Sequence, residues 1–471
     1  MIDLIYLILP EIVGIALLYL KNAFHSNLSS KTVSYGAMAV TLVILFLGII
    51  FGFGGFNLVI SKAIDFSVSF NLNGISLPFL FLAVLLPILV LPSYKYDIAD
   101  RDLTFNALLL VIYVSLIAVF MSSNLLSLFM FMEISLLSAF FAIFLWGGDG
   151  SFNSAMKFLI FTQISSMLIL TSFLMAFLYT GSFSLSSIAS LLHGANSMYL
   201  SIMLLLIIIA AIIKFPVFPL HVWMPGAYYD SATSITAMLS GLFSKLGGYV
   251  LLLFIVFLTP NAVGYFSMPV MVLAAISAFY AAFVALSKKD LKLMFSYSSM
   301  LYMSLALMGM MSNNPIGIEG SIFLMVSYGF ISPLAFVLTG YLKSQAGTTD
   351  MTKVGGLMKK LPVFALFFFI AIFASIGVPG FSNFIGEFLV FLGAFKFYPL
   401  LIISIVSMLI ATGYYLSSIK MVLFEKFLGP VRKLRDLNGS ELIQAGVFSL
   451  VIIILGILPY ILLNSINLGA V

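Results

Sequence analysis

Cysteine is absent from the 471 residues, which excludes disulfides, thiolate zinc sites and iron–sulfur ligation on this chain. Histidine is nearly as scarce. His25, His193 and His221 are too few and too scattered for a histidine metal cage. Charge is scarce as well: only 8% of residues are Asp, Glu, Lys or Arg, against about 25% in soluble domains. A surface so poor in charge cannot be solvated by water over its whole area, so the chain must face lipid. No P-loop or dinucleotide glycine fingerprint occurs. Gly52-Phe53-Gly54-Gly55-Phe56 is glycine-rich but lacks the strand–helix context that such a loop needs. The start, Met1-Ile2-Asp3-Leu4, lacks the basic region of a cleaved signal peptide, so the first apolar stretch is expected to be retained. The formal charge of +5 is a matter of loop distribution, not of nucleic-acid binding.

Long apolar runs are abundant. Stretches of about 20 residues, the length that crosses ~30 Å of hydrocarbon, recur throughout. The pattern predicts fourteen spans near 2–20, 32–52, 74–92, 103–121, 123–145, 154–179, 199–218, 231–258, 265–287, 291–311, 318–342, 362–397, 400–424 and 442–464. No hydrophilic stretch is long enough for a soluble domain. Loop charge supports this count. Odd-numbered loops hold Lys21, Lys31, Lys95, Arg101, Lys288, Lys289, Lys292, Lys343, Lys353, Lys359, Lys360, Lys426, Arg432, Lys433 and Arg435, whereas even-numbered loops hold only Lys62 and Lys396. The positive-inside rule then places the odd loops in the cytoplasm and both termini outside.

Two spans are interrupted, the seventh at Lys214-Phe215-Pro216-Val217-Phe218-Pro219 and the twelfth at Gly377-Val378-Pro379-Gly380. Proline removes a backbone donor and clashes with the preceding turn. Breaks at corresponding places in two halves point to an inverted-repeat transporter. The expected fold is therefore all-α and polytopic, with two inverted five-helix repeats. Within the single transmembrane domain (1–471), the divisions are helices 1–3 (1–92), repeat one (helices 4–8, 103–258), repeat two (helices 9–13, 265–424) and a last helix (442–464). Ser154-Ala155-Met156-Lys157-Phe158-Leu159 echoes Gly320-Ser321-Ile322-Phe323-Leu324-Met325 at matching places.

Four ionisable residues fall where charge is expensive: Glu133 in span 5, Lys214 before the break in span 7, Lys245 in the middle of span 8, and Glu387 after the break in span 12. A lysine held between desolvation and a nearby carboxylate can change protonation state near neutral pH. Such a group suits a proton relay. The plainer alternative is a static ion pair fixing helix packing, but four acid and base groups spread across one bundle favour a pathway. His221, just past the first break, is a further pathway candidate. Glu11 follows Pro10 and is expected near an interface with a structural role. Lys157 and Lys420 can snorkel from helix ends as anchors. His25 and His193 read as solvated loop residues.

At these residues the chain resembles a family. Lys214-Phe215-Pro216-Val217-Phe218-Pro219-Leu220-His221-Val222-Trp223-Met224-Pro225 is similar to the helix-7 signature of the antiporter-like subunits of respiratory complex I, relatives of Mrp antiporters. Leu239-Ser240-Gly241-Leu242-Phe243-Ser244-Lys245-Leu246-Gly247-Gly248-Tyr249 resembles that family's helix 8, and Lys289-Asp290-Leu291-Lys292-Leu293-Met294-Phe295-Ser296-Tyr297-Ser298-Ser299 the start of its helix 10. The resemblance implies that Glu133 pairs with Lys214, that Lys245 is the central lysine, and that Glu387 takes the helix-12 position, glutamate in the chain M type and lysine in most other members. The chain N type is resembled by Leu9-Pro10-Glu11-Ile12, Asn124-Leu125-Leu126-Ser127-Leu128, Thr180-Gly181-Ser182-Phe183-Ser184-Leu185 and Tyr414-Tyr415-Leu416, and by the lack of a tail after helix 14. These slightly favour chain N over chain M. The chain departs from the family where Tyr302 and Tyr328 replace histidines and Gly226 replaces an acid. Both tyrosines are then expected to line a route carried more by water and hydroxyl groups.

The resemblance implies a proton-translocating membrane-arm subunit of an NADH- or ferredoxin-quinone oxidoreductase, without a redox active site of its own. No cofactor or metal is expected on this chain; quinone and iron–sulfur clusters belong to partner subunits. The expected partners are other membrane-arm subunits, lipid, and protons or sodium, with no nucleic acid. The expected location is a prokaryotic plasma membrane or an energy-transducing organelle membrane. An Mrp-type antiporter or membrane-bound hydrogenase subunit is the alternative within the family, and a structural scaffold the alternative outside it.

Overall fold

A computed structural model describes residues 1–23, 29–62, 64–97, 102–192, 196–426 and 434–470. His25, His193, Arg101, Arg432 and Lys433 lie outside the described residues. The first half comprises α1 (Leu9–Ala23), α2 (Ser30–Phe51), α3 (Ser76–Val90), α4 (Asp102–Met121), α5 (Leu125–Trp146), α6 (Ser151–Thr180), α7 (Leu185–Leu192), α8 (Ser197–Lys214), α9 (Met224–Asp230), α10 (Thr233–Met238) and α11 (Ser244–Leu253). The second half comprises α12 (Val263–Ser287), α13 (Leu291–Met310), α14 (Pro315–Ala346), α15 (Leu357–Lys360), α16 (Pro362–Ile376), α17 (Ser382–Gly393), α18 (Tyr398–Ile419), α19 (Ser440–Ile457) and α20 (Tyr460–Leu463). Among the described residues, thirteen helical segments are long and apolar enough to cross a membrane. The shorter α16 and α17 together make the interrupted fourteenth. The all-α, polytopic reading therefore holds, with both breaks where the prolines and glycines put them.

The spans differ in how far they are covered. The α14 span is buried along its whole apolar window and α10–α11 along most of it, whereas α1 and α2 are buried along only a third. The middle of the protein is thus shielded by its own helices, and the rim faces outward. Small residues permit the closest crossings. A methyl group on Gly241 would lie 3.2 Å from the carbonyl oxygen of Gly329, and one on Gly329 equally close to that of Gly241. The backbones of the eighth and eleventh spans therefore touch at mid-bundle. Gly320, Gly386 and Gly393 do the same for α14 and α17.

Polar ties hold the ends. Glu441, 2% exposed, pairs with Lys95 at 2.9 Å and Arg435 at 2.5 Å. Gln444 donates to the Leu89 carbonyl at 2.7 Å. The last long span is thus fastened to the loop after the third. Three features are additional to the sequence expectation. A hairpin forms from β-strands Phe56–Ser61 and Phe66–Phe70 in the loop between the second and third spans. The amphipathic α7 fills the loop after α6, burying Leu185, Ile188, Ala189 and Leu192. Glu11 is fully buried, with Thr41 donating to it at 2.5 Å.

Candidate functional site

Each break lies beside a buried charged residue, Lys214 at the end of α8 and Glu387 midway along α17. In the seventh span, α8 stops at Lys214 and α9 resumes at Met224. Backbone groups in the turn find partners on neighbouring elements. The Phe218 amide donates to Ser277 Oγ at 3.1 Å, and the Trp223 ring nitrogen donates to the Ile213 carbonyl at 2.9 Å. This satisfaction makes irregular backbone tolerable at membrane depth. In the twelfth span, Gly377 and Gly380 adopt φ of 79° and 100°, left-handed values natural to glycine. Any side chain at Gly377 would also strike Glu387, because its first carbon would lie 2.2 Å from a carboxylate oxygen.

Lys214 is 2% exposed, and its Nζ has no hydrogen-bond partner. Glu133 of α5 is half-buried, also with an unpartnered carboxylate oxygen, Oε1. The carboxylate acts electrostatically on Lys214, but the two do not close an ion pair. Two buried, unpartnered polar atoms within electrostatic reach of one another form a place that suits water. The stem of Lys214 rests on α11 at Gly247, where a methyl group would come within 2.6 Å of Lys214 Cβ. Glycine there lets the two lysine-bearing helices meet.

Lys245 is fully buried and begins the stretch after a π-helical turn, Leu239–Phe243. π-bulges of this kind often mark functional sites. The Lys245 ammonium donates to the Ser240 carbonyl within that turn, and to Ser244 Oγ at 3.1 Å. It also sits 5.6 Å from the centre of the Tyr328 ring, a cation–π contact. Tyr328 stacks on Tyr302 with centroids 4.4 Å apart. Tyr302 in turn donates to the carbonyl of Ser375, in the last turn before the Gly377 break, and is within electrostatic reach of Glu387. Glu387, 5% exposed, accepts from Asn383 at 2.7 Å. The two tyrosines therefore occupy the space between Lys245 and Glu387.

Six of the seven residues singled out from sequence fall in two adjoining groups, Glu133 with Lys214 and Lys245 with Tyr328, Tyr302 and Glu387, which meet where the stem of Lys214 rests on Gly247. His221 stands apart. It is 7% exposed, its ring packs on Phe218, Tyr280 and Tyr297, and its Nδ1 lacks a partner. Sequence reasoning missed Ser375, Ser240 and Ser244 as partners. Their only sequence signal is a serine close to a break or to a buried lysine. Tyr414 and Tyr415, with rings 4.6 Å apart, add hydroxyls beside the tyrosine stack, and Ser298 donates to Tyr414 at 2.8 Å.

A family model described as NADH:quinone oxidoreductase/Mrp antiporter, TM, matches residues 122–413. The chain belongs to this family. The matched NADH:quinone oxidoreductase/Mrp antiporter region contains all four buried charges and both breaks. NADH-quinone oxidoreductase subunit M of Rickettsia bellii is 34% identical over 406 residues, covering 85% of this chain and 81% of that protein. A chain of respiratory complex I from Thermus thermophilus with bound NADH superposes with a TM-score of 0.89 at 26% identity, covering 98% of this chain and 97% of the other. A chain of an archaeal membrane-bound sulfane sulfur reductase shares the fold, with a TM-score of 0.88 at 20% identity over 98% of this chain and 77% of the other.

Proposed function

We propose that this chain is a proton-translocating membrane-arm subunit of a complex I-like NADH:quinone oxidoreductase, and that Glu133, Lys214, Lys245 and Glu387 carry the protons. The observation that carries this reading is the series itself. Four ionisable groups close no ion pair with one another: Glu133 acts on Lys214, whose stem rests on the helix of Lys245, and a tyrosine stack leads from Lys245 toward Glu387. Static pairs that only fix packing are expected to satisfy one another, since an uncompensated buried charge is strongly destabilising. Quinone reduction takes place on partner subunits. A chain without cysteine has no thiolate to hold an iron–sulfur cluster, and we assign it no redox centre. The relatives' subunit M names and the glutamate at position 387 support the M type over the N type that other motifs favour.

The test is Glu387→Gln in the assembled complex, held in inverted membrane vesicles. Proton uptake should fall while assembly and NADH oxidation persist. A scaffold would behave in the opposite way, losing assembly but pumping normally in whatever complex remained.

The loop asymmetry supports an orientation with both termini outside. A single cysteine introduced in the 353–360 loop should react with an impermeant reagent only from the cytoplasmic face. Labelling from the outer face would reverse the assignment.

A further inference from the structure

Lys292 takes no part in the series above. In sequence it follows Lys288, Lys289 and Asp290 and reads as one more loop charge. In the structure it lies in the first turn of α13 and is only 8% exposed. Its Nζ donates to the carbonyl of Ser231 at 2.5 Å, at the seam where α9 passes into α10. Asp97, Asp290 and Asp230 attract it electrostatically and Lys343 repels it, yet no carboxylate closes an ion pair with it.

Those carboxylates are committed elsewhere. Asp97 accepts from the Thr233 amide at 2.6 Å and pairs with Lys343 at 3.5 Å. Asp290 caps α13 and accepts from the Thr349 hydroxyl. Asp230 accepts from Ser154 at 2.5 Å. Outside Lys292 lies a polar cavity of about 550 Å³, lined by Tyr229, Lys288, Lys289, Asp290, Lys343 and Asp350 among others. Asp290 and Lys343 belong both to that cavity and to the surroundings of Lys292. On the inner side, Tyr228 and Ser234 flank the Ser231 seam with buried, unpartnered hydroxyls. Tyr228 sits beside Ser244, which accepts from Lys245.

We propose that Lys292 is the inlet group for protons, loading from the polar cavity and releasing inward past Ser231, Tyr228 and Ser244 toward Lys245. The proposal rests on the proton-translocation reading. One proton leaves the ammonium inward, the amine is left neutral, and the cavity side supplies the replacement. Hydroxyls that lack protein partners are suitable hosts for the water that such a transfer needs. The alternative is a fixed positive cap on the carbonyl end of α9.

The two roles separate on substitution. Lys292→Arg keeps the charge and the donor but stays protonated, so it can cap and cannot switch. In inverted vesicles holding the assembled complex, it should slow proton uptake about fivefold or more while NADH oxidation by the complex remains measurable. Wild-type uptake in the arginine variant overturns the proposal. If that complex does not assemble, Lys292→Gln decides, because the amide can still donate to Ser231 but has no proton that it can release and regain. Slowed uptake supports the inlet and normal uptake overturns it. Failure of both variants to assemble makes Lys292 a strut and also overturns it. Lys245→Ala measured alongside keeps the readings apart: normal pumping there defeats the translocation reading itself, whereas its loss beside a normal arginine variant defeats only the inlet.

Discussion

Lys245→Arg should stop proton pumping nearly as completely as Lys245→Ala, lowering uptake by the assembled complex about tenfold or more, the equivalent of ~1.4 kcal/mol on the limiting barrier. The two variants differ in charge and agree in lacking a group that can lose and regain a proton. The Lys245 ammonium has no carboxylate within ion-pairing distance and is held by a carbonyl, a serine hydroxyl and the face of an aromatic ring. None of these partners is charged, so no ion pair locks the lysine in its charged form. Guanidinium stays protonated under all physiological conditions. Arginine would keep the cation and abolish the switch. Measuring uptake against NADH oxidation in the same vesicles separates pumping from electron transfer. Normal pumping by the arginine variant would falsify the switching role and leave fixed charge as the requirement.

Glu133→Gln should give the second large loss, on the order of tenfold in uptake, with the complex still assembled. Glutamine preserves the shape of the side chain and removes the charge that acts on Lys214. Lys214 then has neither a counter-charge nor a hydrogen-bond donor or acceptor to rely on, because its Nζ has no partner to begin with. Glu133→Asp keeps the charge and should retain most of the activity. An unchanged number of protons per NADH in the glutamine variant would dissolve the functional pair. Loss of assembly alone would return Glu133 to a structural role.

Much of this was visible in the sequence for a single reason: hydrocarbon tolerates few exceptions. Apolar runs had to reach about 20 residues to cross it, which exposed the spans. Glu133, Lys214, Lys245 and Glu387 stood out because each interrupts such a run. The breaks were legible in Pro216, Pro219, Gly377 and Gly380. Lys292 was not, because its neighbours in sequence are the charges of a real loop. The span near 291–311 includes it, but charge counting groups it with Lys288 and Lys289, and only the packing of the first turn of α13 shows it buried. The hairpin left a trace in the alternation Phe66, Ser67, Val68, Ser69, Phe70, overlooked because lipid-spanning helices set the expectation. The π-helical turn before Lys245 left none. In a span buried on nearly every side, one extra residue alters no hydrophobic pattern.

That turn has a mechanical consequence. In an α-helix one residue corresponds to a rotation of about 100°, so a one-residue insertion sets the angular phase of everything beyond it. Three contacts lie downstream: Lys245 against Tyr328, Gly247 against the stem of Lys214, and Tyr249, whose hydroxyl meets Asn73 at 3.1 Å and Ser76 at 3.0 Å. They point in different directions and reach different helices, yet they share one rotational setting, like lobes on a camshaft. Removing a single residue from 239–243 would leave every side chain beyond the turn chemically intact and aim all three of them at the wrong neighbours together.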